Sequence, residues 1–243
     1  MPSDSNNSNM PQNKSYFETA RTRRVLPTIF PFVHWRSPAR DRYVYLTFDD
    51  GPTPHVTDTI LQILESFKVK ATFFCIGKQA MAYPTLLQNI VNAGHALGNH
   101  TQSHIAAWET SNSLYTRDIA QCDEALSEVV ALESGFLSPF RPPFGQLTFN
   151  SGWKLARQRP VVMWDVNSMD YREDESVATV TKRVTENVRP GSIVLMHDSF
   201  LAAPRTLEAL PKILTTLFEQ GYRLDQELQW YRNQNGKVSS NTI

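Results

Sequence analysis

Cysteine is scarce: the 243 residues hold only Cys75 and Cys122, too few for a disulfide framework. Cys75 lies in the apolar run TFFCIG and Cys122 on an apolar helix face, so both read as buried free thiols, which suits a reducing compartment. Net charge is missing as well. With 24 basic and 24 acidic residues, the chain lacks the basic excess of a nucleic-acid binder. No long hydrophobic run is present either. The apolar stretch VLPTIFPFVHW is too short to span a bilayer and carries two prolines. The opening MPSDSNNSNMPQNK has no apolar signal-peptide core. Residues 1–22 are therefore expected to form a disordered polar tail, residues 23–230 one folded domain, and residues 231–243 a flexible tail. A cytoplasmic location is the default expectation, with cell-envelope association left open.

What is present is a regular alternation. RYVYLTF, KATFFCIG, HALGN, GFLSPFR, PVVMWDV, SIVLMHD and YRLDQEL read as strands, being rich in β-branched and aromatic residues. Between them come helical patterns. Ile60, Ile63, Leu64 and Phe67 recur at helical spacing, Pro84 opens a helix that Gly94 stops, and residues 114–132, 150–157, 176–188 and 207–219 follow. Alternation of this kind predicts an α/β fold with a parallel sheet in a single domain. The strands, about seven, are continuously apolar, as strands covered on both faces are. Polar residues gather just after the strands, which favours a closed or nearly closed barrel over an open sheet.

Those strand ends carry the chemistry. His100 and His104 are four apart, so on a helical turn they share a face and can grip one ion. Asp49 or Asp50, in TFDDGP, can supply a third ligand and leave an open position for water. Two imidazoles and a carboxylate suit Zn²⁺ or Co²⁺ better than Mg²⁺ or Ca²⁺. A cation so held polarises a carbonyl and lowers the pKa of water to about 7. The other aspartate can serve as base and His197 as acid. Arg141 can orient a carboxylate through a two-pronged hydrogen bond, and Asp170 can keep His197 protonated. His34, His55 and His95 read as structural. Asp165 and Asp198, beside site residues on strands, are expected to face away into hydrogen bonds or solvent.

In order and spacing, TFDDGP, NHTQSH, RPPFG, WDVNSMDY and IVLMHD resemble the five motifs of the polysaccharide deacetylase family, the NodB homology domain of carbohydrate esterase family 4. The resemblance runs from Tyr43 to Leu224. It implies a metal-dependent deacetylase on a distorted (β/α)7 barrel, acting on an acetylated carbohydrate. Carried over by position, it implies metal ligation by Asp50, His100 and His104, with Asp49 as base and Arg141 orienting it. Asp170 would tune His197, the general acid. The backbone N–H of Phe144, next to Pro143, would help hold the oxyanion, and Leu195 and Tyr171 would line the acetyl pocket.

Three positions depart from the family pattern. Asn167 replaces the first acid of the fourth motif, Tyr171 its usual tryptophan, and Phe144 a common tyrosine. The leading expectation is removal of N-acetyl groups from an amino-sugar polymer or oligomer of chitin or peptidoglycan type. Small, lipid-linked or nucleotide-linked acetylated sugars and O-acetylated xylan are the alternatives within the same chemistry. A carbohydrate-binding protein without turnover is the alternative outside it.

Overall fold

The computed structural model describes residues 22–37, 42–130 and 138–224. Both expected tails lie outside these residues, except that Thr22 begins the first helix. The same holds for the first three residues of GFLSPFR, the last two of the 114–132 helix and the end of YRLDQEL. In chain order the elements are α1 (Thr22–Ile29), β1 (Tyr43–Asp49), α2 (Val56–Ser66), β2 (Thr72–Cys75), α3 (Gly77–Ala82), α4 (Pro84–Asn92) and β3 (Ala96–Asn99). Then come α5 (Asn112–Val130), α6 (Phe149–Ala156), β4 (Val166–Asn167), α7 (Val177–Thr185), β5 (Ile193–His197), α8 (Ala203–Glu219) and β6 (Arg223–Leu224).

The strands pair in parallel in the order β3-β2-β1-β5-β4, and β6 joins the start of β1. Single bridges continue the ring: Asn99 to Phe140, Phe140 to Val161, Val162 to His34, and Arg36 to Ser192 next to β5. The segment around residues 34–36 thus fills the gap that the short strands leave. The described part of GFLSPFR (residues 138–141) and PVVMWDV, expected as strands, are reduced to these bridges and to the two residues of β4. Pro139, Pro142, Pro143 and Pro160 cannot donate to a ladder, so pairing there cannot propagate.

Alternation along each strand makes two packing layers. Val44, Leu46, Phe48, Phe73, Val194 and Met196 face outward and are fully covered by Ile60, Leu64, Leu210, Ile213 and Leu214 of α2 and α8. Each such side chain contributes roughly 1.5–3 kcal/mol by leaving water. Tyr45, Phe74, Val162 and Ile193 face inward and fill the barrel. Local signals end the helices where the site needs loops. Gly94, at φ 76°, stops α4 and its N–H donates to Val91 O at 2.8 Å, and the Ser176 hydroxyl accepts the Thr179 N–H at the start of α7. α3, six residues long, was not expected from the pattern. Cys75 and Cys122 are buried free thiols.

Candidate active site

The site is built at the C-terminal ends of the strands. β1 ends on Asp49, and Asp50 leaves the strand with φ at 86°, a left-handed conformation rare outside glycine. Regular alternation would point the two carboxylates apart. The turn brings both toward one imidazole: His100 Nε2 lies 3.8 Å from Asp49 Oδ2 and 3.6 Å from Asp50 Oδ1. His104 Nε2 lies 3.3 Å from the same Asp50 oxygen.

The His100–His104 segment is a loop, not the helical turn expected from the spacing. Thr101 and His104 both have positive φ, 66° and 54°. One local and one more distant side chain hold this path. Asn99 Oδ1 accepts the Thr101 N–H at 2.8 Å, and Asp118 Oδ1, from α5, accepts the Ser103 N–H at 3.0 Å. Asn99 is itself held by Asp123, which pairs with Arg159. The His100 Nδ1 lies 2.7 Å from the Arg141 carbonyl oxygen. A carbonyl only accepts, so Nδ1 carries the proton and the Nε2 lone pair faces Asp50.

One ligand atom each from Asp50, His100 and His104 lies within 4.8 Å of the others. Donors about 2.0–2.1 Å from a tetrahedral ion stand roughly 3.4 Å apart, close to the 3.3 and 3.6 Å found here. The three therefore fit a divalent cation with a position left open. Burial lowers the pKa of both histidines, which favours the neutral form that ligates.

Arg141 is fully buried, and Nη1 donates to Asp49 Oδ1 at 2.7 Å. The expected two-pronged grip is absent: Nη1 alone reaches Asp49 and is shared with Thr47 Oγ1, while Nε donates to Val162 O and Nη2 to Met163 O. The guanidinium also sits over the Phe74 ring, 4.1 Å from its centre. Burial raises the Asp49 pKa to about 6, with Arg141 opposing the rise.

Asp170 is fully buried as well. Its Oδ1 lies 2.7 Å from His197 Nδ1, while Oδ2 accepts the His197 N–H and the Thr206 hydroxyl. Burial disfavours a charged His197, but the Asp170 charge and hydrogen bond outweigh it and raise the pKa to about 9. Asp49 and Asp50 add to that rise, so His197 and the two aspartates share one field.

The remaining expected residues lie around this group. Phe144, half-exposed at φ 59°, packs its ring 4.6 Å from that of His104, and Pro143 is buried in the same short turn. The Tyr171 ring stands edge-on to His197 at 5.1 Å. Leu195, two residues before His197 on the inner face, is buried and pairs in register with Thr47 and Asn167. The Asn167 Oδ1 accepts the Met169 N–H at 3.0 Å, a task an aspartate oxygen would also perform.

Asp165 accepts from Ser192 and Ile193, away from the cleft. His95 Nδ1 accepts the Ala71 N–H, a structural role. The sequence reading missed Thr47 and Thr206. Thr47 had a signal, since it shares the inner face with Asp49, but Thr206 had none.

A polysaccharide deacetylase family model matches residues 36–164. The chain belongs to that family. Over 195 residues it is 33% identical to a peptidoglycan-N-acetylglucosamine deacetylase of Bacillus cereus, covering 79% of this chain and 89% of the relative. Over 158 residues it is 35% identical to a chitooligosaccharide deacetylase of Azorhizobium caulinodans, covering 64% of this chain and 73% of the relative. It superposes with a TM-score of 0.74, at 32% identity, on a solved peptidoglycan N-acetylglucosamine deacetylase, covering 79% of this chain and 89% of that one. The parallel strands and the eight α-helices among the described residues of this polysaccharide deacetylase form the distorted (β/α)7 barrel of those structures, in one domain. Enzymes of the family use a divalent metal, and the Asp50, His100 and His104 group is suited to one.

Proposed function

We propose that the protein hydrolyses the N-acetyl group of an N-acetylated amino-sugar polymer or oligomer, of peptidoglycan or chitin type, releasing acetate. One observation carries this reading: a carboxylate held by Arg141 and an imidazole held by Asp170 flank the Asp50, His100 and His104 group. The names of the relatives support the substrate class. Zn²⁺ is the expected ion, with Co²⁺ a working substitute, because two imidazoles and one carboxylate form a borderline-soft set. When bound, it polarises the acetyl carbonyl and makes water more acidic.

The chain's own groups do the rest. Asp49 takes the proton from the attacking water, its second oxygen being free of Arg141. The Phe144 N–H donates to the carbonyl oxygen as negative charge develops. His197, protonated at neutral pH, delivers a proton from Nε2 to the departing amine and completes C–N cleavage. Leu195 and Tyr171 form the apolar wall for the acetyl methyl group. The test is acetate release by the Zn²⁺- or Co²⁺-loaded protein from peptidoglycan fragments, chitooligosaccharides and acetylated xylan. Release from the first two supports the reading; release from xylan alone, or from none, overturns it.

A further inference from the structure

Asp198 follows His197, and its carboxylate turns away from the imidazole into a buried niche, leaving the residue 1% exposed. Its Oδ1 accepts the Gly51 N–H at 2.8 Å and its Oδ2 the Thr57 hydroxyl at 2.6 Å. The Thr57 hydroxyl donates to that oxygen, and its own oxygen accepts the Thr53 N–H at 2.7 Å. The backbone N–H of Asp198 donates to the Asp49 carbonyl at 3.1 Å.

These bonds bracket a single residue. The Asp49 carbonyl lies just before Asp50 and the Gly51 N–H just after it, and both are held by Asp198. Between them Asp50 keeps its φ of 86°, a conformation that needs support from its surroundings in a residue with a side chain. The approach is so close that a Cβ on Gly51 would lie 1.9 Å from Asp198 Oδ2. Glycine is required there for contact, and the contact is with Asp198.

We propose that Asp198 is a positioning residue that clamps the backbone on both sides of Asp50 and so aims its carboxylate at His100 and His104. This rests on the reading of Asp50, His100 and His104 as metal ligands. A purely structural Asp198 would lower stability and leave metal binding by the folded protein unchanged. A clamp sets the ligand geometry itself.

Co²⁺ is the probe, read by chelator competition and by its visible absorption in the full-length protein. Removing groups that orient a ligand commonly costs about 10–100-fold in affinity, so Asp198→Ala should bind Co²⁺ at least about tenfold more weakly, with shifted bands. Asp198→Asn keeps an oxygen for the Gly51 N–H and should stay within about threefold of the unaltered protein. Gly51→Ala, which pushes the carboxylate aside, should match Asp198→Ala. Adding it to Asp198→Ala should cost little more, because the two act on one contact. Unaltered affinity and spectrum in Asp198→Ala would overturn the clamp, as would an Asp198→Asn variant as weak as the alanine. If Asp198→Ala does not fold, Gly51→Ala decides, and unchanged Co²⁺ binding there rejects the idea. His100→Ala and His104→Ala separate the two levels: wild-type Co²⁺ binding in both would sink the ligand reading, and the clamp with it.

Discussion

Asp49 and His197 are register partners on adjacent parallel strands, β1 and β5. Both follow inward-facing residues at two-residue spacing, Tyr45 and Ile193, so both point to the inner face of the barrel. Their backbones are thus one strand spacing apart, about 4.8 Å. The separation of the proposed base and acid is set by a hydrogen-bonded ladder, a stiffer support than a loop.

That pair predicts a bell-shaped dependence of kcat/KM on pH. Asp49 must be ionised, so activity rises as pH increases through its pKa of about 6. His197 must be protonated, so activity falls as pH passes its pKa of about 9. A bound cation disfavours protons at both groups and can only move the two limbs down. Asp170→Asn removes the charge that holds the His197 proton, and its alkaline limb should drop by more than a unit. An unmoved limb in that variant would refute the assignment of His197.

The two acids of TFDDGP should separate by mutation. Asp50→Ala should weaken Zn²⁺ binding by at least about tenfold, since one of three ligands is gone. Asp49→Asn should retain the metal and lose about 10²–10⁴-fold in kcat. Metal titration with acetate assays on the same preparations checks both, and equal metal loss in the two variants would contradict the division.

Arg141→Lys should fail to rescue the site. An ammonium has three donors without the planar fork, whereas Arg141 serves Asp49, Thr47, Val162 and Met163 at once. Breaking a buried pair on one side costs about 3–5 kcal/mol. Urea unfolding of Arg141→Lys and Arg141→Ala should show losses of that order, with activity absent even where the protein folds.

Stability should also fall as pH rises between 6.5 and about 9 in the metal-free protein. The folded His197 pKa, about 9, lies above its ordinary 6.5. The native state therefore binds more protons in that window, and its advantage, full below 6.5, is lost toward 9. Asp170→Asn should flatten this slope, as read by urea midpoints across the range.

Much of this was legible in the residues because the barrel gathers its chemistry at strand ends. TFDDGP and IVLMHD each join an apolar run to acid–base groups, so β1 and β5 and their site residues could be read together. Less legible were features set at a distance. His100-x3-His104 fits a helical turn by spacing, yet Asp118, from α5, together with the neighbouring Asn99 holds it as a loop. α3 is too short to show a period. Strand alternation turns Asp198 away from His197, but its partners Gly51 and Thr57 lie 147 and 141 residues away in sequence. No local pattern announces such a contact.

Arg141 has a consequence beyond charge. Its carbonyl oxygen accepts from His100 while its guanidinium holds Asp49, so one residue is the datum for a proposed ligand and for the proposed base. A shift of the segment after Phe140 would carry both together. Motion of the barrel would then move His100 and Asp49 together, so the spacing between the two groups would change less than the barrel around them.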